Sequence, residues 1–350
     1  MAATVFVVRD HTLDPLLDQL SDRLRGDGVT VIRGPANTPG VVVQLPEEIV
    51  RNELALADVA VFSSRWLCPR ETLQAATRLR GVVGATIGVE TIDLAAADQM
   101  GLIVGHGGAP EHISSMAEAS IMLMLNLRYA LAHTQAVMRG EQPRPGVLAV
   151  HASQLEGCTV GLVGLGRIGK AVVHRLSVFG VRILAYSPRV DPASVPPHVS
   201  LVSLHELMAQ SDIVGVFVAV RPDNLRLINA QALSHMKRTA FLINVARGQA
   251  VDEQALIEVL QARRIAGAAL DTFEVEPLPV DSPLRKLDNV ILTPHMVGHT
   301  RESVTSIPRI AYENVTRILG GELPVSCKNP YLEDQWRHRI RTMNELRCPG

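Results

Sequence analysis

Short runs of β-branched and apolar residues alternate with longer stretches of helical periodicity along most of the chain. Over residues 1–108 the runs Thr4–Val8, Val59–Phe62, Val82–Val83 and Leu102–Val104 predict strands, and Leu13–Leu24, Glu71–Leu79 and Ile92–Gln99 predict helices. Strands taking turns with helices predict a parallel sheet, because a parallel pair needs a crossover connection and a helix fills it. A long helix is expected from about Ser115, where Ser115-x-x-Glu118 has the form of a capping box. It is apolar nearly all round from Met116 to Leu131, the pattern of a helix buried between domains or at a subunit interface. Residues 135–154 are looser, with Pro143 and Pro145 close to Gly140 and Gly146. A second strand–helix series then predicts strands at Thr159–Val163, Val181–Ala185, Ile213–Val218, Ala240–Asn244, Ile265–Leu270 and Val290–Leu292. A helical pattern over Arg301–Leu319 ends at Gly320-Gly321, and the chain is expected to return there to its first domain. Residues 331–350 are charged and read as an extension without an assigned role.

Composition narrows the class. At 350 residues the chain is long enough for two domains, each with its own core. Lys+Arg number 34 against Asp+Glu 35, for a net charge of −1, and no basic run is visible. That argues against a nucleic-acid or anionic-membrane surface. Cys68, Cys158, Cys327 and Cys348 are scattered without metal-ligand spacing, so free thiols in a reducing cytoplasm, and no metal site, are expected. Thr4–Val8 followed by Arg9-Asp10 is no signal peptide. The most apolar stretch, Ala119 to Leu127, falls far below the ~20 residues of a membrane span. A soluble, cytoplasmic protein is expected.

The strand Thr159–Val163 runs directly into Gly164-x-Gly166-x-x-Gly169, with Arg167 and Ile168 between the last two glycines. An amphipathic pattern follows from Ala171 to Phe179. Such a strand–turn–helix cradles a dinucleotide's pyrophosphate: one glycine makes the turn, one admits the phosphates, and one lets helix and strand pack closely. The helix N-terminus adds unpaired N–H groups and partial positive charge. An acid that binds the adenosine ribose usually follows about 20 positions on. Here no Asp or Glu occurs between Gly169 and Arg189, and Ser187 and Arg189 stand at the end of the next strand. A hydroxyl and a guanidinium suit a 2′-phosphate, which favours NADP over NAD; the other reading makes Arg189 a solvated loop charge.

Three more motifs end predicted strands: Asn244-Val245-Ala246-Arg247-Gly248, Asp271-Thr272-Phe273-Glu274-Val275-Glu276-Pro277 and Thr293-Pro294-His295. Ligands of open α/β sheets bind at the carboxyl ends of strands. The guanidinium of Arg247 can hold a carboxylate by two oxygens, and His295 beside the carboxylate of Glu276 can move a proton near neutral pH. Each residue alone has a structural reading; together, after a dinucleotide loop, they point to catalysis.

With these motifs the chain resembles the D-isomer-specific 2-hydroxyacid dehydrogenases, the family of phosphoglycerate dehydrogenase and glyoxylate/hydroxypyruvate reductase, over roughly residues 55–325. The resemblance implies an NADP- or NAD-dependent enzyme that moves hydride to or from C2 of a small 2-keto/2-hydroxy acid. It implies that Arg247 anchors the substrate carboxylate, that Glu276 pairs with the general acid/base His295, and that Asp271 accepts from the nicotinamide carboxamide. It further implies that the amides of Ile87 and Gly88 cradle the carboxylate, that Arg65 lies near the far end of the substrate, where it could bind a second anionic group or be a surface arginine, and that the protein is a homodimer. The fold class it implies is α/β with a doubly wound Rossmann nucleotide-binding domain at 109–295, a smaller flavodoxin-like α/β substrate domain at 1–108 and 296–330, and the extension 331–350. Departures from the family pattern are Gly107-Gly108-Ala109-Pro110 for Asn-x-Pro-Gly, Thr86 for a glycine, Arg221-Pro222 for Thr-Pro, and Met296-Val297 after His295. Rival readings are a phosphite dehydrogenase-like enzyme and a non-catalytic dinucleotide-sensing regulator of the same fold.

Overall fold

In β1 (Thr4–Val7) the side chains of Val5 and Val7 join one apolar cluster and Phe6 another, and all three are fully buried. Alternation with burial on both sides means a sheet covered on both faces. The computed structural model describes residues 2–37, 41–146 and 152–347. After β1 come α1 (Asp14–Gly26), β2 (Thr30–Arg33), β3 (Val43–Gln44), α2 (Glu47–Asn52), β4 (Val59–Phe62), β5 (Trp66–Leu67), α3 (Arg70–Ala75), β6 (Gly81–Gly84), α4 (Leu94–Gln99) and β7 (Ile103–His106). The five-stranded parallel sheet has the order β2-β1-β4-β6-β7, which is the flavodoxin-like order once the small β3–β5 pair is set aside. Hydrophobic periodicity does not announce β2, whose residues are exposed or half-buried, nor the two-residue partners β3 and β5.

Next comes α5 (Pro110–Arg128), which starts at Pro110 and not at the capping box expected at Ser115. Proline suits a first helical position, where its missing N–H has no partner to lose. Ser115 lies inside the helix, its hydroxyl 2.7 Å from that of Thr300. Then follow α6 (Leu131–Met138), β8 (Thr159–Val163), α7 (Arg167–Leu176), β9 (Arg182–Tyr186), β10 (Val199–Leu201), α8 (Leu204–Gln210), β11 (Ile213–Val216), α9 (Ala230–Ser234), β12 (Phe241–Asn244), α10 (Glu253–Gln261), β13 (Gly267–Leu270) and β14 (Val290–Leu292). They build a seven-stranded parallel sheet in the doubly wound order β10-β9-β8-β11-β12-β13-β14. Val214 and Leu242 pack on one face, Ile213 and Ile243 on the other, where Met116, Ile121 and Met124 of α5 cover them.

The chain ends in α11 (Arg301–Leu319) and α12 (Glu333–Arg347). By its contacts it divides into two units, Met1–His112 with Arg301–Gly350 and Ile113–Thr300. Residues 296–300 stay with the second unit because the amides of Met296 and Val297 both donate to Asp271. The charged C-terminal extension is built into the first unit: Trp336 and Ile340 of α12 join the apolar cluster of Val5, Val59, Ile103 and Ile318. Cys68, Cys158 and Cys327 are free thiols, and Cys348 lies outside the described residues. Among the described residues no group of three or more metal-ligating side chains gathers, and no helix is long and apolar enough to cross a membrane.

Candidate active site

β8 lies between β9 and β11, with Val163 in register with both Tyr186 and Val216. The order of the sheet reverses at this point, where dinucleotides bind. Gly164 has φ 107°, and a Cβ there would stand 2.9 Å from the backbone of Phe217 and Val218. A Cβ on Gly169 would lie 2.4 Å from the carbonyl oxygen of Gly164, so only glycine lets α7 pack on the turn. Gly166 caps α7 without a side-chain bond to the helix, and the space where its Cβ would point is open. Exposed Arg167 and half-buried Ile168 begin the helix. A helix start without a side-chain cap, behind a turn with no Cβ at Gly164 or Gly166, fits a pyrophosphate. At the end of β9 the Ser187 hydroxyl accepts from the amide of Leu165 at 3.3 Å, bracing the glycine turn. Arg189 forms an ion pair with Asp223, from the loop after β11.

β12 ends at Asn244, which is 1% exposed. Its side-chain carbonyl accepts from the amide of Ala246 (3.1 Å) and its amide donates to the carbonyl of Arg247 (2.9 Å), so one buried side chain folds the next three residues into a tight turn. Arg247 Nη1 donates to the carbonyl of Ala246 at 2.7 Å. Gly248 lies directly on the loop after β13: a Cβ would stand 1.9 Å from the carbonyl of Phe273. That loop folds on itself. The amide of Phe273 donates to Glu276 Oε1 (3.0 Å), and that of Glu274 to Glu253 Oε2 on α10 (3.0 Å). The other Glu276 oxygen, Oε2, meets His295 Nδ1 at 2.7 Å. Burial pushes the Glu276 carboxyl up, but the hydrogen bonds from His295 and Phe273 and the charges of His295 and Arg247 outweigh it and hold it below the ordinary value. An ionised Glu276 is an acceptor only, so Nδ1 of His295 carries a proton and Nε2 is the ring atom open to a reactant.

His295 has φ 56°, a left-handed conformation uncommon outside glycine. Asp271, 2% exposed, holds it there: its Oδ1 accepts from the Thr293 hydroxyl (2.7 Å) and from the amides of Met296 (3.0 Å) and Val297 (3.2 Å). Asp271 thus has a structural task beyond the role the resemblance implies. Asn244, Glu253 and Thr293 are the side chains that residue-by-residue reading passed over. Asn244 and Thr293 fall inside motifs quoted for other residues and Glu253 just beyond one, and residue type alone does not name the partner.

In the first unit the loop after β6 carries Ile87 and Gly88, both half-buried. Among the described residues neither amide N–H has an intramolecular acceptor. The Thr86 hydroxyl donates to the carbonyl of Gly88 at 3.4 Å, so the unusual threonine ties the loop. Gly107 is needed behind it, since a Cβ would lie 2.3 Å from the carbonyl oxygen of Ala85. Arg65 is the counter-ion of fully buried Asp10: its Nη1 stands 3.3 Å from both carboxylate oxygens and 2.9 Å from the Thr12 hydroxyl. Burial pushes the Asp10 carboxyl up, and hydrogen bonds from Ser63 and Thr12 with the charge of Arg65 bring it below the usual range. This ion pair takes up a charge that the sequence had left open for a second anionic group.

Residues 121–297 match the family described as D-isomer specific 2-hydroxyacid dehydrogenase, NAD binding domain. A glyoxylate reductase of Thermofilum pendens is 38% identical over 264 residues, which cover 74% of this chain and 77% of that protein. A D-3-phosphoglycerate dehydrogenase of Methanocaldococcus jannaschii is 35% identical over 89% of this chain, which spans only 59% of that longer protein. The crystal structure of the TT0316 protein from Thermus thermophilus superposes with a TM-score of 0.77 at 30% identity, covering 93% of this chain and 99% of the other. With a dinucleotide cradle at the switch point and these relatives over most of its length, the chain belongs to the D-isomer-specific 2-hydroxyacid dehydrogenase family of nicotinamide-dependent oxidoreductases.

Proposed function

We propose that the enzyme reduces a small 2-keto acid of the glyoxylate or hydroxypyruvate kind, uses NADPH in preference to NADH, and draws the proton from His295. The observation that carries this reading is the 2.7 Å hydrogen bond between Glu276 Oε2 and His295 Nδ1, formed where two successive strand ends meet the loop of Arg247. A dihydronicotinamide, when bound, would supply the hydride that the carbonyl carbon accepts. Glu276 fixes the ring so that Nε2 gives its proton to the carbonyl oxygen. The fork of Arg247 binds the carboxylate and, with the histidinium, stabilises the developing alkoxide. The amides of Ile87 and Gly88 are further donors to the carboxylate. Gly164, Gly166, Arg167, Ile168 and Gly169 hold the pyrophosphate, Ser187 and Arg189 the 2′-phosphate, and the second oxygen of Asp271 the carboxamide. Arg65 is left out, because its charge is matched by Asp10. The working form is a cytosolic homodimer.

The test is His295→Gln, assayed with glyoxylate and hydroxypyruvate. Reduction should fall by at least the ~10²-fold typical of lost general acid catalysis, with NADPH affinity by nucleotide fluorescence unchanged. Near-native turnover would overturn the assignment.

A further inference from the structure

The end of β9 lacks the carboxylate that usually meets an adenosine ribose, and the next acid in sequence does not replace it. Asp191 is engaged in capping a short 3₁₀ turn, its side chain accepting from the amide of Ala193 at 3.0 Å. The acid comes instead from across β8. Asp223 Oδ2 pairs with Arg189 Nη2, so the loops after β9 and β11 are bridged beside the glycine turn they flank. Asp223 sits on a fixed turn: Asn224 accepts from the amide of Arg221 (2.6 Å) through Oδ1 and donates to the carbonyl of Ala219 (2.9 Å) through Nδ2. The start of the same loop is pressed against Gly164. From this geometry we infer that Asp223 is a specificity-determining residue for the cofactor, competing with a 2′-phosphate for Arg189. The inference rests on the reading of Arg189 as a 2′-phosphate ligand.

The charges explain the direction. Arg189 and Asp223 cancel in the free protein. A 2′-phosphate brings close to two negative charges, so it must both detach the guanidinium from Asp223 and stand near that carboxylate. A ribose 2′-hydroxyl is uncharged and leaves the ion pair in place. Asp223 therefore weakens NADPH binding and leaves NADH binding intact. Both side chains are 58% exposed, so solvent screens the pair and the effect is moderate.

The experiment measures Kd for NADPH and NADH by nucleotide fluorescence on the whole protein, for the unmodified chain, Asp223→Asn, Arg189→Ala and the double variant. The half-exposed site makes all of them compatible with folding, which circular dichroism verifies. Asp223→Asn should tighten NADPH by roughly three- to tenfold and change NADH by less than about twofold, and the gain should shrink in about 1 M salt. In the Arg189→Ala background the same substitution should gain clearly less, because no guanidinium remains to be released and only the solvent-screened charge of Asp223 is removed. If the unmodified enzyme prefers NADPH and Asp223→Asn leaves the ratio unchanged, or if the gain is equal in both backgrounds, the competition is overturned while the cofactor reading stands. If the unmodified enzyme prefers NADH and Asp223→Asn loses that preference, Asp223 is a ribose acceptor, and both the inference and the NADPH reading fail.

Discussion

Arg247 owes its position to neighbours that make no chemistry themselves. Asn244 closes the turn before it through two backbone hydrogen bonds, and Gly248 after it brings the backbone onto Phe273. The charge of Arg247 is thereby placed close enough to hold down the carboxyl of Glu276. Lysine would keep that charge as a point and lose the planar fork that binds two carboxylate oxygens. Arg247→Lys should therefore lower kcat/KM for keto-acid reduction by about 10²-fold and change the NADPH Kd by less than about threefold. Steady-state kinetics and fluorescence titration separate the two. An equal loss of dinucleotide affinity would make Arg247 a structural residue of the nucleotide sheet. The residue types at this site were legible in the sequence as strand-end motifs. Their hydrogen-bond partners were not, because Asn, Asp and Glu can each serve a backbone amide, a hydroxyl or a ligand.

Among the elements, the strands of the two parallel sheets could be read most directly. Val59–Phe62, Thr159–Val163 and Ile213–Val216 are buried along their whole length or nearly so, and unbroken apolar runs signal that. The C-terminal helix could not be read, because α12 is charged on most of its surface and touches the core through few side chains. Trp336 is one of them: it is fully buried, with Nε1 donating to the carbonyl of Arg80 at 2.6 Å, and Arg339 reaches the carbonyls of Thr77 and Leu79. Trp336→Ala removes that packing and leaves the Arg80 carbonyl without its donor. It should destabilise the first unit by about 3–5 kcal/mol. Denaturant unfolding monitors the loss, and NADPH affinity should stay within about twofold because the glycine loop belongs to the other unit. Unfolding unchanged by the substitution would mean that α12 is a decoration.

At the scale of the whole molecule, the apolar character of α5 read from the sequence is only partly accounted for by one chain. Its inner side covers the nucleotide sheet, yet Met122 is 46% exposed, and Tyr129, Leu131 and Met138 continue the exposed apolar surface at 53%, 44% and 83%. A single exposed apolar side chain is ordinary, but such a series is what the interface of the proposed homodimer would require. Light scattering should give twice the 37.9 kDa of the chain. Met122→Glu combined with Met138→Glu should return it to one chain mass. A single-chain mass for the unmodified protein would contradict the dimer.

Fold class, the glycine turn before α7 and the places of Arg247, Glu276 and His295 after strand ends were legible in the sequence itself. Burial periodicity, glycine spacing and strand-end position are local properties that a linear string carries. The tertiary structure alone decided which polar groups met. It joined Arg65 to buried Asp10, set Asp271 under the turn that holds His295 at positive φ, and brought Asp223 across 34 residues to Arg189. Those pairings depend on strand register and on the direction in which each loop leaves the sheet. Neither is encoded in the type of any one residue; both follow from how the whole set of strands packs.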